Sequence, residues 1–148
     1  MKTVKDLLQT KSSNVWSIPP KAKVFDALKF MSEKQIGALM VMDEKGQTVG
    51  IMSERDYARK VILLGKRSKE TAVEDIMTPV DQMFYIKPEN TVEECMVLMT
   101  VKHIRHLPVC HEGKLLGLVS IGDAVKSIIS EKDELIEQLS NYIAGKYM

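Results

Sequence analysis

The strongest constraint in this 148-residue chain is an internal repeat. Gly50-Ile51-Met52-Ser53-Glu54-Arg55-Asp56 is echoed by Gly117-Leu118-Val119-Ser120-Ile121-Gly122-Asp123. Each stretch reads as a short apolar strand running straight into a helix, with Ser at the junction and Asp three residues on. The echo extends outward. Ile18/Ile86, Pro20/Pro88, Val24/Val92, Met31/Met99, Ile36/Ile104 and Val41/Val109 are identical pairs at a spacing of 68. Past the next turn the spacing is 67, as in Gly50/Gly117, Ser53/Ser120 and Asp56/Asp123. That is a one-residue deletion in a loop, where deletions are tolerated. Caps, turns and core positions that match in one register identify a duplication.

Thr3 to Gln9 read as a short helix with Val4, Leu7 and Leu8 on one face. Val15 to Ile18 suit a strand stopped by Pro19-Pro20. Val24, Ala27, Leu28 and Met31 carry helical spacing. Ala38–Met42 and Thr48–Met52 are strand-length apolar runs joined by the turn Asp43-Glu44-Lys45-Gly46. A helix is expected from Ser53 to about Leu64, with Gly65 just past its end. The same order recurs: Val73–Met77 echoes Val4–Leu8, Met83–Pro88 echoes Val15–Pro20, and Ile104–Cys110 echoes Ile36–Met42. The expected organisation is a first repeat over 4–65, a charged, aperiodic linker over 66–72, a second repeat over 73–130 and a C-terminal helix extension over 131–148.

The fold class is therefore α/β (α+β), two β-α-β-β-α repeats plus a short N-terminal helix and an extended C-terminal one. A copy of about 60 residues has little core of its own. The expected arrangement packs the two copies through their sheets with pseudo-twofold symmetry, leaving two equivalent clefts. Leu135, Ile136, Leu139, Tyr142 and Ile143 keep helical spacing beyond the repeat scheme. That stripe could cover the N-terminal helix or a second chain, and an unpaired apolar stripe favours the second chain, a homodimer.

Composition is that of an ordinary globular chain, 45% apolar and 28% charged. A formal net charge of +1 gives no global electrostatic case for nucleic acid or membrane. No apolar run approaches the roughly 20 residues of a membrane span. No signal peptide is read at the N-terminus, so the expected location is cytoplasmic. Cys95 and Cys110 read as small core hydrophobes. His103, His106, Cys110 and His111 form the one local group worth testing as a metal site. Strand alternation separates His111 from His106 and Cys110, and no paired ligand spacing supports a metal. The expectation is no metal.

The two corners carry the chemistry. A helix N-terminus offers unpaired backbone N–H groups and partial positive charge. At the first corner Ser53 can offer a hydroxyl, Arg55 a guanidinium and Asp56 an acceptor for a diol such as ribose. At the second, Ser120 and Asp123 are kept, and Gly122 stands where Arg55 was. Each corner is also close to a capping box, which needs no ligand. A second contrast is Arg105-His106 against Gly37-Ala38 at the matching places.

The duplicated unit, the Ile-x-x-Leu-x-Val strands (Ile36 to Val41; Ile104-Arg105-His106-Leu107-Pro108-Val109) and the two Gly-h-h-Ser-x-x-Asp corners, h being apolar, resemble a tandem cystathionine-β-synthase (CBS) domain pair, or Bateman module. The resemblance runs from about Val4 to Ile129. It implies an adenosine-containing ligand: AMP, ADP, ATP, NAD(H) or S-adenosylmethionine. It also implies sites shared between copies. The first would use Ser53, Arg55 and Asp56 with Tyr85, Ile86, Arg105, His106 and Pro108. The second, weaker, would use Ser120 and Asp123 with Ile18, Ile36 and Ala38. Met40 stands where the second copy has Pro108. Disc-like homodimers are a family habit.

The function expected is a regulatory sensor module that reports a bound nucleotide to an unidentified partner by a conformational change. The alternative is a structural dimerisation module with empty clefts. An enzyme is not expected, since no nucleophile has a neighbouring base and no Walker loop is present.

Overall fold

A computed structural model describes residues 2–11, 15–131 and 133–145, and of residues 131 and 133–136 the backbone alone. It is a mixed α/β structure in two compact units, one over Val15–Phe84 and one assembled from Met1–Asn14 and Tyr85–Met148. The stripe positions Leu135 and Ile136 lie outside the described side chains.

The chain opens with α1 (Val4–Thr10), capped by Thr3 in a reciprocal box with Asp6. In the continuous unit, β1 (Ser17–Ile18), α2 (Val24–Lys34), β2 (Ala38–Met42) and β3 (Thr48–Ser53) follow, then the single turn α3 (Glu54–Tyr57). β1 lies parallel to β2, and β2 and β3 form an antiparallel pair with Ala38 opposite Ser53 and Val41 opposite Gly50. A two-residue strand, β4 (Thr78–Pro79), completes the order β1-β2-β3-β4. The helix expected up to Leu64 widens at Ala58–Ile62 into a π-turn. There Leu63 N–H donates to Ala58 O and Lys66 N–H to Val61 O. Val61 is fully buried by it, whereas Ile62, Leu63 and Leu64 are exposed. Gly65, with φ of 70°, ends the turn.

The second unit repeats the plan with α4 (Val92–Lys102), β5 (His106–His111), β6 (Lys114–Ser120) and α5 (Ile121–Glu131), followed by α6 (Asp133–Ile143). The registers correspond: Ile86 bridges Val109 in parallel as Ile18 does Val41, and His106 faces Ser120 as Ala38 faces Ser53. α2 and α4 each end on a non-glycine residue in the left-handed region, Gln35 and His103, both at φ 55°. Each turns its N–H back to the preceding helical turn.

Sequence repeats and spatial units are offset. Val4 N–H donates to Asn90 O and Thr3 bridges Thr91, so α1 packs on the second repeat. Val73 N–H donates to Ala22 O and Ala72 bridges Lys23, so the segment opening the second repeat packs on the first. Gly50 and Gly117 make room for these segments. A Cβ on Gly50 would lie 2.6 Å from Met77 Sδ and 2.7 Å from Thr78 O, and one on Gly117 2.6 Å from Leu8 Cδ2. One core gathers Val24, Met31, Leu39, Met52, Val61 and Ile76, and the other Val4, Leu7, Cys95, Met99, Leu107 and Val119.

Candidate functional site

β3 delivers Ser53 in extended conformation, φ −123° and ψ 165°, directly at the start of α3. Asp56 N–H donates to Ser53 Oγ (3.3 Å), and Ser53 N–H and Oγ donate to Asp56 Oδ2 (2.8 and 3.1 Å). Two orphan donors of the helix start are thereby satisfied reciprocally. The other carboxylate oxygen, Oδ1, pairs with Lys60 Nζ at 3.3 Å, and Lys60 also donates to Ile76 O at 2.9 Å. Glu54 N–H donates to Gly37 O, fixing the corner to the entrance of β2. Ala38 and Ile18 are buried beside this sheet, and Arg55 and Ile36 are half-buried.

The second corner keeps the box: Ser120 N–H donates to Asp123 Oδ2 (2.8 Å) and Asp123 N–H to Ser120 Oγ (3.2 Å). The lysine here comes from the far end of the chain. Lys11 Nζ lies 2.7 Å from Asp123 Oδ2 and donates also to Leu118 O at 2.7 Å. Burial pushes the Asp123 carboxyl up, but the bonds from Lys11 and Ser120 outweigh it and hold the group below its ordinary value. Ile121 N–H donates to Arg105 O, the counterpart of Glu54 to Gly37. His106, opposite Ser120, is pushed down to about 4 by burial and then by Lys11, with Asp123 pulling the other way and Arg105 adding to the depression. It is a neutral imidazole at neutral pH.

Of the residues singled out by sequence, Ser53, Arg55, Asp56, Ile18, Ile36 and Ala38 come together in one unit. Ser120, Asp123, Tyr85, Ile86, Arg105, His106 and Pro108 come together in the other. Ile86 pairs with β5 through Pro108 O and Cys110 N, and Ile86 and Pro108 are buried. Tyr85 is 39% exposed, and partial burial, with a smaller contribution from Cys110, raises its phenol pKa. Sequence reasoning missed Lys60 and Lys11. Lys60 carried a local signal, four residues after Asp56 on the same helical face. Lys11 carried none.

Cys95 is fully buried, its thiol pushed up to about 11 by burial and by Asp123, and Cys110 is half-buried. Among the described residues no group of three or more His, Cys, Asp or Glu is placed to share a metal, and no helix is long and apolar enough to cross a membrane.

Comparison with known proteins gives one answer. The CBS-domain family model matches residues 4–62 and 73–130. The chain is 38% identical over 152 residues to the Arabidopsis thaliana CBS domain-containing protein CBSX3, mitochondrial, covering 98% of this chain and 73% of that protein. It spans less than half the length of several other curated relatives. Among solved structures, a CBS-domain protein from Burkholderia ambifaria is 46% identical, with a TM-score of 0.83 over 88% of this chain and 96% of that one. CBSX2, solved in complex with AMP, is 28% identical, with a TM-score of 0.71 over 89% of this chain and 99% of its own.

Proposed function

This chain belongs to the CBS-domain family, with both of its repeats matched, and on that premise we propose that it is a regulatory, non-catalytic module that binds an adenosine-containing nucleotide at its Ser-x-x-Asp corners. The observation that carries the reading is the pair of preformed corners. Each aligns a carboxylate with its Ser and sets a lysine against it, Lys60 on Asp56 and Lys11 on Asp123. A ribose diol can donate to the remaining lone pairs of such a carboxylate, while the lysine or Arg55 answers a phosphate. AMP bound to CBSX2 supports an adenine nucleotide as the ligand class. AMP, ADP, ATP and NAD(H) are the candidates, with the site residues those the family resemblance implies. His106, being neutral, serves a phosphate as an N–H donor and not as a cation. The cytosolic location, the homodimer and an unidentified regulated protein complete the proposal.

Calorimetry with AMP, ADP, ATP and NADH tests it. Asp56→Ala is expected to weaken the best of these at least about tenfold, since hydrogen bonds to charged groups contribute about 1.5–3 kcal/mol. Unchanged affinity in both Asp56→Ala and Asp123→Ala would remove the corners from the site.

A second reading has its own observation. Both carboxylates are already satisfied internally, and Leu139, Tyr142 and Ile143 of α6 are 53%, 71% and 84% exposed. A structural dimerisation module with empty clefts fits these facts. It predicts no thermal shift with any adenine ligand, whereas a ligand at 100 times its Kd adds about 2.7 kcal/mol.

A further inference from the structure

In the continuous unit, the helical run that begins at α3 closes on an apolar turn. Leu63 N–H donates to Ala58 O, Gly65 N–H to Ile62 O and Lys66 N–H to Val61 O, so the chain doubles back within a few residues. That geometry buries Val61 and turns the next three side chains outward. Ile62, Leu63 and Leu64 are 55%, 75% and 63% exposed, and exposure runs unbroken from residue 62 to 67. Contiguous exposed apolar side chains rimmed by polar ones mark a protein or membrane contact, unlike apolar residues scattered singly.

The duplication supplies an internal control. At the spacing of 67, Ile62 matches Ile129, whereas Leu63 and Leu64 match Ser130 and Glu131. The repeat plan therefore does not require leucines at these two positions. Their surroundings are cationic. Arg59 lies one turn before them and Lys66, Arg67 and Lys69 just after, all exposed. Arg67 pairs with Glu70 at 3.8 Å, and Arg59, Lys66 and Lys69 form no ion pair among the described residues. Phe25 N–H donates to Ser68 O, which brings a 40% exposed phenyl ring to the same loop, with Lys69 Nζ 4.7 Å from its centre. The whole chain is nearly neutral, so this positive excess is a local property of the turn.

We propose that the Ile62–Leu64 turn is a peripheral docking point for an anionic lipid surface. Apolar tips flanked by cations match the layering of such a surface, acyl chains within and anionic headgroups outside. Leu63 and Leu64 enter the acyl boundary, while Lys66 and Lys69 keep their ammonium groups among the headgroups. The contact is superficial, since among the described residues no helix is long and apolar enough to cross a membrane.

Co-flotation of the full chain with vesicles tests the assignment. Saturable binding is expected on mixed phosphatidylcholine–phosphatidylserine vesicles, falling as salt is added. Lys66→Ala should weaken it about fivefold, the scale of one basic residue near a charged membrane. Leu63→Asp combined with Leu64→Asp should weaken it at least about tenfold, since burying one leucine already accounts for that much. Both leucines are exposed, so the urea midpoint of the double variant should match the parent's. Lys114→Ala, on the β5–β6 hairpin of the other unit, should bind as the parent does. No binding to the mixed vesicles, or parent-like binding by the double variant, would overturn the docking point. Equal binding to phosphatidylcholine alone would overturn the anionic assignment. A fall in oligomeric mass in the double variant would give the turn to a second copy of the chain instead. None of these outcomes depends on nucleotide affinity at Asp56 or Asp123, so failure here is distinguishable from failure of the proposed function.

Discussion

His106 has charged neighbours of both signs, Lys11 and Arg105 against Asp123, and burial decides its state. Its pKa falls to about 4 from 6.5, so between those values the folded chain binds fewer protons than the unfolded one. Stability from this residue is complete above pH 6.5 and is lost as pH falls toward 4, on the order of 3 kcal/mol in all. His106→Gln should flatten the pH dependence of the urea midpoint in that window, and a slope equal to the parent's would count against the burial argument. Asp6, Glu94 and Asp123 are depressed carboxyls, so their contributions persist to lower pH and go only as pH drops below the ordinary carboxylate range. Ser53, Asp56, Ser120 and Asp123 were legible in the sequence because a capping box is a local pattern of four residues. Lys11 was not, because its carboxylate partner is 112 residues away.

Strands and helices were readable where periodicity speaks, as in Val24, Ala27 and Met31 on α2 or the runs of β2 and β3. The left-handed ends at Gln35 and His103 were not, since neither is the glycine such a position advertises. The π-turn after α3 was also silent, because it changes which residue of Val61–Leu64 faces inward without changing their composition. The two glycines ahead of the corners differ in what they protect. Gly50→Ala drives a Cβ into Thr78 O, a backbone atom of β4, whereas Gly117→Ala meets the end of the Leu8 side chain, which can rotate away. Overpacking costs about 1–3 kcal/mol, and Gly50→Ala should lie in that range with Gly117→Ala below it. Denaturant unfolding of the two variants gives the comparison, and equal losses would contradict it.

At the scale of the molecule, duplication was the most legible fact and the exchange of segments the least. A repeat boundary drawn by sequence register says nothing of which copy a leading segment packs on. Leu7, 4% exposed in the core of the second-repeat unit, tests that exchange. Leu7→Ala should cost about 2–5 kcal/mol. Hydrogen exchange should accelerate first in α4, β5 and β6, with α2, β2 and β3 following later, and the reverse order would refute the assignment of α1. The same exchange sets an order of events during translation. The hydrogen-bond acceptors for α1 are the carbonyls of Pro88 and Asn90, about 80 residues downstream. At roughly 5–20 residues per second, Val4 and Leu7 leave the ribosome roughly 4 to 16 s before the chain that covers them exists. The continuous unit can close in that interval, while the unit containing α1 must be the last to form.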